Sequence, residues 1–295
     1  MKLPLPSPTS GVVERHIGAC QNPGLVYERY VKYLHTGDDW SLTPNTRARE
    51  ENPKQEALTA TIAAQNRLSS FVNLWQGFQE RWDSTTNEAL TFQANPAWRF
   101  VTGLGRGGPL EVGFTFHRIY GFPVIPGSSL KGLARIKALV ELSERLSGPL
   151  GDLNWLDTPE EADFEQKLTE CLPPPNTETQ QLTRGFRLAF GTTKQAGAAV
   201  FFDAIPVNPP QLELDVMTPH FSRYYQDGDT PPADWDDPKP IPFLTVGKGT
   251  RFRFAVGWRG EKDGGAHRQA RQWLEEGLCE LGLGAKTSAG YGYFK

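Results

Sequence analysis

The chain has 295 residues, of which 38% are hydrophobic and 22% are charged, a composition typical of an ordered globular protein. The chain has a formal net charge of -3 and an isoelectric point near 6.0, whereas many nucleic-acid-binding proteins carry a net positive charge. A local basic patch is nevertheless enough to bind a polyanion. The three cysteines form no Cys-x-x-Cys pair, which argues against a disulfide framework or a zinc ribbon. The sequence contains no signal-peptide core and no run of about 18 apolar residues, so we expect a cytoplasmic protein without a membrane segment.

Charge is distributed unevenly along the chain. The segment from Trp98 to Lys137 contains six Lys or Arg residues and one acid, Glu111, which makes it a candidate surface for a polyanion. Residues 150–170 contain seven acids and one Lys, and residues 227–237 contain five acids and no Lys or Arg. We interpret these two acidic segments as solvated loops or as surfaces for basic partners.

The first part of the sequence predicts helices. Residues 1–20 begin as an extended, Pro-rich stretch, residues 23–36 fit a short helix, and residues 40–54 are a polar loop. Apolar residues recur with helical spacing over residues 55–82, which predicts a long helix there. We therefore predict an N-terminal helical extension over residues 1–90.

From residue 91 onward, predicted strands and helices alternate. Ser128 is a suitable N-cap for a strong helix that Gly148 and Pro149 end, and an acidic, Pro-rich loop is expected near residues 150–182. The order of elements predicts an α+β fold with a ferredoxin-like (RRM-like) βαββαβ core and long insertions over residues 91–295. The remaining predicted elements are strands at 98–104, 111–120, 197–207, 211–217 and 250–258, a loop at 226–240, a helix at 265–281, and a glycine-rich loop with a short final strand.

The start of the first of these helices, residues 126–132 (PGSSLKG), is a candidate phosphate-binding site. A helix N-terminus presents backbone N–H groups and a partial positive charge, and Ser128 and Ser129 add hydroxyl groups. Lys131 and Arg135 are four residues apart and therefore share one face of the helix. The same residues are also consistent with an ordinary capped helix that carries two surface cations.

A second candidate is the segment 282–293 (GLGAKTSAGYGY), which combines flexible glycines with one lysine, two hydroxyl side chains and two tyrosines. Its amides could surround phosphates, and a tyrosine ring could stack on a base. The alternative is a glycine-rich turn that leads into an edge strand.

Other chemical motifs are weak. The dipeptide Gly247-Lys248 is followed by Gly249 rather than by Ser or Thr, so it forms no Walker A loop, and residues 103–108 match G-x-G-x-x-G without the required following helix. The five histidines lack metal-ligand spacing, and we expect no metal and no cofactor. His117 could act as the general base of a metal-independent ribonuclease, but we favour a histidine that packs on a strand or contacts RNA.

Two of these segments indicate a protein family much more specifically when they occur together than either does alone. Residues 105–135 (GRGGPLEVGFTFHRIYGFPVIPGSSLKGLAR), followed near the C-terminal end by residues 282–294 (GLGAKTSAGYGYF), resemble the RAMP superfamily of CRISPR ribonucleoproteins. The size, the helical extension and residues 22–25 are similar to one subunit of the type III-B (Cmr) effector complex in particular. The resemblance covers residues 98–148 and 195–295 and implies the ferredoxin-like fold.

The resemblance also implies a function. The expected protein is a non-catalytic RNA-binding backbone or capping subunit of an RNA-guided type III effector complex in antiviral defence. Its expected partners are guide RNA, target RNA and neighbouring subunits of the Cmr complex, and we expect no membrane contact. No position corresponds to the target-cleaving Asp of the superfamily, so we expect no catalysis. The RNA-binding residues implied by the two motifs are Ser128, Ser129, Lys131, Arg135, Gly282, Gly284, Lys286, Thr287, Gly290 and Gly292, to which we add His117 and Arg118 as further RNA contacts.

The main competing hypothesis is a metal-independent guide-RNA-processing endoribonuclease of the same superfamily, which would share the fold and the glycine-rich loop. Two further hypotheses are a nucleotide-dependent enzyme and a protein–protein adaptor that hardly touches RNA.

Overall fold

The computed structural model describes residues 1–42, 52–146, 150–173, 175–219, 231, 238, 240–261 and 264–295. The predicted α+β class is confirmed, because helices are combined with antiparallel sheets. The five acids of residues 227–237 lie outside the described residues. The first half of the chain contains α1 (Ser7–His16), α2 (Pro23–Arg29), β1 (Leu34–Thr36), β2 (Asp39–Ser41), α3 (Pro53–Leu68), α4 (Val72–Thr85), β3 (Leu90–Ala94) and α5 (Gly127–Leu146). The second half contains α6 (Glu161–Cys171), α7 (Thr177–Phe190), β4 (Ala199–Phe201), β5 (Ile205–Pro206), β6 (Leu212–Met217), β7 (Ile241–Val246), β8 (Phe252–Trp258) and α8 (Gly264–Glu280).

These elements form two compact units. The first unit consists of Met1–Val72, Gly103–Pro123 and Pro210–Gly247, and the second of Asn73–Thr102, Val124–Pro209 and Lys248–Lys295. The division of the chain at residue 90 remains a prediction from the sequence.

The first unit is built around α3. Both α2 and the antiparallel β6–β7 pair pack against this helix, and β6 pairs with β7 from Leu212↔Val246 to Met217↔Ile241. The Asn22 side chain caps α2 by accepting a hydrogen bond from the amide of Leu25 (3.0 Å).

The second unit contains a sheet in which β8 is central. β3 pairs with one edge of β8, while β4 and β5 pair with the other, all antiparallel. Phe252, Phe254 and Val256 are fully buried, whereas the guanidinium of Arg253 lies over the ring of Trp82 in α4. The strand predicted at 250–258 is therefore present as β8, but its two faces do not alternate in burial throughout, because Ala255 and Gly257 are buried as well.

The helices α5 and α8 pack against each other in antiparallel fashion within this second unit. Early in α5, Leu133 lies beside Gly277 near the end of α8, and Lys137 pairs with Glu280 (2.7 Å). Later in α5, Glu141 accepts a hydrogen bond from the indole N–H of Trp273 (2.8 Å). The start of α5 and the loop that follows α8 are therefore at the same end of the helix pair.

The long helix predicted over residues 55–82 is two helices, α3 and α4, separated by residues 69–71. The hydroxyls of Ser69 and Ser70 donate to the carbonyls of Gln65 and Arg67 (2.9 and 2.7 Å). Such hydrogen bonds compete with the helical backbone pattern, which explains why apolar periodicity alone missed the break.

The predicted strands at 98–104 and 111–120 are wrong. β3 lies earlier, at Leu90–Ala94, and within 111–120 the described backbone forms only the isolated bridge Phe116↔Pro123. Gly113 explains the difference, because a Cβ atom there would lie 2.5 Å from the carbonyl oxygens of Gly103 and Arg106. The glycines fold this segment into a compact loop instead of an extended strand.

The acidic segment predicted as a loop near residues 150–182 is largely helical. It forms a 3-10 helix at Leu150–Asp157, then α6, then the start of α7. Its carboxylates pair within the second unit, and the interpretation of this segment as a solvated loop is wrong for the described residues. The pairs are Asp157–Arg135 (2.7 Å), Glu161–Arg187 (3.1 Å), Glu165–Arg184 (2.7 Å) and Glu160–Lys194 (2.6 Å).

Candidate nucleic-acid interface

The helix α5 begins at Gly127, so the prediction that Ser128 is its N-cap is wrong. Gly127 lies against the end of β4, where a Cβ atom at this position would be 2.1 Å from the carbonyl oxygen of Phe201. No side chain fits in that space. The helix can approach the strand this closely only because residue 127 is glycine.

The positive end of α5 already faces a negative group. The carboxylate of Asp203 accepts a hydrogen bond from the amide of Gly127 (2.7 Å), and the carbonyl of Pro126 accepts from the amides of Ser129 (2.9 Å) and Leu130 (3.2 Å). These acceptors take backbone donors that a phosphate would otherwise use. Side-chain cations, more than the helix dipole, are therefore the groups that favour a polyanion here.

The outer face of the first turns of α5 is exposed and nearly free of side-chain bulk. Ser128, Ser129 and Gly132 are all exposed, and a Cβ atom at Gly132 would meet no atom within 4 Å. A polymer could therefore lie close to the helix backbone along this face.

Lys131 lies beside this exposed face, in a basic pocket between α5 and the turn that joins α7 to β4. The pocket has a volume of about 310 Å³. Among the residues that the structure describes, Lys131 and Arg259 have no ion-pair partner, whereas Lys194 pairs with Glu160 (2.6 Å). The pocket therefore keeps an excess of positive charge. Its polar lining also includes Thr192, Thr193 and Gln195.

Arg135 is placed differently, although it is only one turn beyond Lys131. Its guanidinium donates to both carboxylate oxygens of Asp157 (2.9 and 2.7 Å) and lies 5.5 Å from the ring centroid of Phe186. Its role in RNA binding remains a prediction, and an RNA contact would compete with this internal ion pair.

The glycine-rich loop after α8 is tightly hydrogen-bonded. The amide of Leu283 donates to the carbonyl of Gly292 (2.8 Å), the amide of Ala285 to that of Val101 (2.9 Å), and the amide of Gly292 to that of Arg99 (2.8 Å). The loop is therefore closed on itself and attached to the segment that follows β3.

Several glycines of this loop have backbone conformations that other residues rarely adopt. Gly284 (φ +91°) and Gly292 (φ +76°) are also crowded, because a Cβ atom would lie 2.2 Å from the carbonyl oxygen of Val101 and 1.9 Å from that of Leu283. Gly282 (φ +73°) and Gly290 (φ +88°) share the left-handed conformation. These predicted RNA-binding glycines therefore have a structural role that their sequence pattern only partly indicated.

Lys286 lies in the same left-handed region, with φ +63°, although it is not glycine. Its carbonyl accepts hydrogen bonds from the amides of Ala289 (2.9 Å) and Tyr291 (3.3 Å), and Thr287 begins a short 3-10 helix directly after it. The lysine side chain is therefore carried by an ordered turn.

Trp98 is a candidate that the sequence analysis did not select. It is 45% exposed, its ring centroid lies 4.7 Å from that of Tyr291 in the glycine-rich loop, and the guanidinium of Arg99 lies 5.3 Å from its ring. The available signal was a tryptophan at the start of the basic segment, which the incorrect strand prediction at 98–104 concealed.

His117 and Arg118 belong to the first unit, whereas the other predicted contacts belong to the second. The Nδ1 atom of His117 accepts hydrogen bonds from the amides of Ile119 and Tyr120 (both 3.2 Å), and its ring packs near that of Phe122 (5.3 Å). Arg118 is exposed at the tip of this turn. The histidine stabilises the turn that presents the arginine.

Within the described ranges, no group of three or more His, Cys, Asp or Glu residues could hold a metal ion. No helix in the same part of the chain has the length and apolar character needed to cross a bilayer.

The two predicted motifs belong to the second unit and lie at the same end of the antiparallel α5–α8 pair. Lys131 lies on the flank of α5 that faces the end of α7, whereas Leu133 lies on the flank that faces α8. Lys286 lies in the turn that follows α8. A helix with the motif PGSSLKG and a glycine-rich loop after the last helix, both in an α+β unit, are the features by which the sequence resembles one class of proteins.

The chain belongs to that class, the RAMP superfamily, whose sequence pattern matches residues 33–295. A curated relative, the CRISPR system subunit Cmr6 of Pyrococcus furiosus, is 35% identical over 230 residues, which are 69% of this chain and 67% of that protein. The Cmr6 subunit of Saccharolobus solfataricus is 29% identical over 115 residues, 36% of this chain and 34% of that protein. The predicted resemblance to a type III-B subunit, the sixth of the Cmr complex, is confirmed.

Two solved structures are also similar to this chain. The crystal structure of Cmr6 from Pyrococcus furiosus is 34% identical, covers 70% of this chain and 96% of its own, and has a TM-score of 0.46. A chain in a cryo-EM structure of the type III-B Cmr-beta complex bound to cognate target RNA covers 98% of this chain and 88% of its own, with 19% identity and a TM-score of 0.54. The second likeness concerns the fold alone.

Proposed function

We propose that this chain is a non-catalytic RNA-binding subunit of an RNA-guided type III CRISPR effector complex, with a backbone or capping role in antiviral defence. Its RAMP membership and its 35% identity to Cmr6 support assembly with other Cmr subunits. Guide RNA and target RNA are the nucleic-acid partners in this proposal. The cytoplasm is the proposed location, consistent with three free cysteines.

One observation supports the proposal: Lys131 lies beside an exposed face of small residues at the start of α5, and the turn that carries Lys286 follows α8 at the same end of the α5–α8 pair. In this position the two ammonium groups neutralise phosphates of an RNA strand that follows the face. Phosphate contacts fix the register of a strand without reading its sequence, so binding is largely independent of base sequence.

The proposal includes a ferredoxin-like core for the second unit. Its elements follow the order β3, α5, β4, β8, α8, with the C-terminal segment returning to bridge Pro96 through Phe294. This strand–helix–strand–strand–helix–strand order, with antiparallel pairing around β8, supports such a core.

The salt dependence of RNA binding tests the phosphate contacts. A double variant, Lys131→Ala with Lys286→Ala, should reduce the slope of log K against log salt by about 0.7 for each phosphate of a single strand that a lysine no longer neutralises. The measurement is a titration of the full chain with a labelled oligouridylate at several salt concentrations.

A matched control removes two lysines outside the proposed interface. Lys32 pairs with Glu56 (2.9 Å), and Lys167 pairs with Glu170 (2.9 Å). The Lys32→Ala, Lys167→Ala variant should keep the slope of the original chain. If the Lys131–Lys286 variant also keeps that slope, or retains guide RNA in the assembled complex as well as the original chain does, the proposed contacts are wrong.

The absence of catalysis is part of the proposal. His117, which we considered as a general base, uses Nδ1 to accept two backbone hydrogen bonds inside its own turn. These hydrogen bonds support a structural role for the imidazole ring of His117.

A further inference from the structure

We propose that Trp98 binds one base of the RNA strand by stacking its indole ring against that base, next to the glycine-rich loop and Lys286. This inference rests on the proposed function, because it specifies how the same interface holds a nucleotide as well as its phosphates.

The exposure of Trp98 is unusual for its surroundings. Its indole is 45% exposed, whereas Phe100, two residues later, is fully buried against Phe252 and Phe294. The ring of Tyr291, which is itself buried, lies 4.7 Å from the indole at an angle of 49°. Tyr291 therefore supports the indole from the loop and leaves almost half of its surface open.

The backbone on both sides of Trp98 is fixed to the glycine-rich loop. The amide of Ala97 donates to the carbonyl of Tyr293 (2.7 Å), and the carbonyl of Arg99 accepts from the amide of Gly292 (2.8 Å). An aromatic ring held in this way loses little conformational entropy when a base stacks on it. The site is therefore organised before RNA arrives.

The charge around Trp98 favours RNA over a protein partner. Residues 95–102 and 282–295, which form this surface, contain Arg99, Lys286 and Lys295 and no Asp or Glu, although the whole chain has a net charge of -3. Single-stranded nucleic acid combines flat bases with a negative backbone, and its binding sites combine aromatic rings with cations. Trp98 supplies the ring, and its neighbours supply the positive charge.

Stacking and phosphate contacts make different contributions to binding, so they are separable. A phosphate contact releases counterions and therefore sets the salt slope, whereas a stacked base contributes affinity at every salt concentration. Loss of Trp98 should lower the affinity and leave the slope unchanged, whereas loss of a lysine should lower both the affinity and the slope.

The test compares Trp98→Leu and Trp98→Phe in the full chain with two probes, a short oligouridylate and inorganic polyphosphate, which has no bases. For the oligouridylate, Trp98→Leu should weaken binding about 10-fold with an unchanged salt slope, and Trp98→Phe should retain most of the affinity, because stacking on one aromatic ring has an effect of this size. Polyphosphate binding should be the same in all three proteins.

Trp40 provides a matched control, since it is 44% exposed and belongs to the β1–β2 hairpin of the first unit. Trp40→Leu should leave RNA binding unchanged, and an equal loss in both Trp→Leu variants would overturn the assignment. So would a Trp98→Leu variant that binds RNA normally and fails only to assemble with neighbouring subunits, which would identify a protein contact instead. Failure of the wider proposal is distinguishable, because then the original chain itself would show no salt-dependent binding of the oligouridylate.

Discussion

The backbone at Lys286 is strained, and the strain has a functional interpretation. A left-handed conformation costs a non-glycine residue about 1–2 kcal/mol, and four glycines in the same loop adopt it without that cost. Strained residues of this kind occur preferentially at functional sites. We therefore interpret Lys286 as a residue selected for its ammonium group, in line with the proposed phosphate contact.

Lys286→Gly should separate stability from binding. The variant relieves the strain but makes the unfolded chain more flexible, so the free energy of unfolding should rise by about 0.5 kcal/mol. RNA binding should weaken, and its salt slope should decrease by about 0.7, because the cation is gone. Urea denaturation measures the first quantity and RNA titration the second. Lower stability together with unchanged RNA binding would contradict the interpretation.

Lys131 and Arg135 illustrate what the sequence could and could not predict about single residues. Helical spacing placed both on one side of α5, but among the described residues only Arg135 of the two has an acidic partner, Asp157. That partner lies in a segment that the sequence analysis treated as a loop. Ion pairs between residues distant in sequence depend on tertiary packing, so composition and periodicity could not distinguish the two cations.

The glycines of the glycine-rich loop differ in how much an alanine substitution should destabilise the chain. Gly292→Ala should destabilise the chain by more than about 2 kcal/mol, because it combines a left-handed backbone with a Cβ atom 1.9 Å from the carbonyl oxygen of Leu283. Gly290 is the matched control, since its φ is also left-handed but its Cβ position is open. Gly290→Ala should cost only about 1 kcal/mol. Urea denaturation of both variants tests this order, and equal losses would refute it.

How well each helix or strand could be predicted depends on how regularly its buried residues recur in the sequence. The strand β8 and the helix α8 were predicted with nearly correct limits, because the large apolar residues of each recur with a regular period along the sequence. The segment 111–120 has the same alternation but folds as a loop, since close approach of its backbone to Gly103 and Arg106 overrides the pattern. The acidic helix α6 was missed because its apolar residues are few, with only Phe164 and Leu168 buried.

For the chain as a whole, overall charge was a poor guide to the proposed function. Much of the negative charge near α6 is neutralised by arginines and a lysine of the same unit. Arg184 donates a hydrogen bond to Glu165 and thereby holds the pKa of that carboxyl below its ordinary value. The segments around Trp98, residues 95–102 and 282–295, contain three Lys or Arg residues and no Asp or Glu, a local pattern that the net charge of -3 does not reveal.

Incubation of the pure chain with CRISPR repeat RNA in EDTA tests the absence of catalysis. We expect the RNA to remain intact, because the His117 ring is engaged in its own turn. Gel analysis of the RNA is the measurement, and His35→Ala serves as the control variant. Discrete fragments that disappear in His117→Ala and persist in His35→Ala would establish an endoribonuclease instead.

The contacts of Gly127 limit how the start of α5 can change when other residues of the helix mutate. Its Cα is packed against the carbonyl of Phe201 and its amide is bonded to the carboxylate of Asp203, so two independent contacts oppose any rotation or sliding of the helix start. Substitutions at exposed positions farther along α5 are therefore expected to leave the orientation of its first turn unchanged. One glycine and one aspartate thus set the orientation of the helix start, whereas exposed positions such as Ser128, Ser129 and Gly132 can change without moving it.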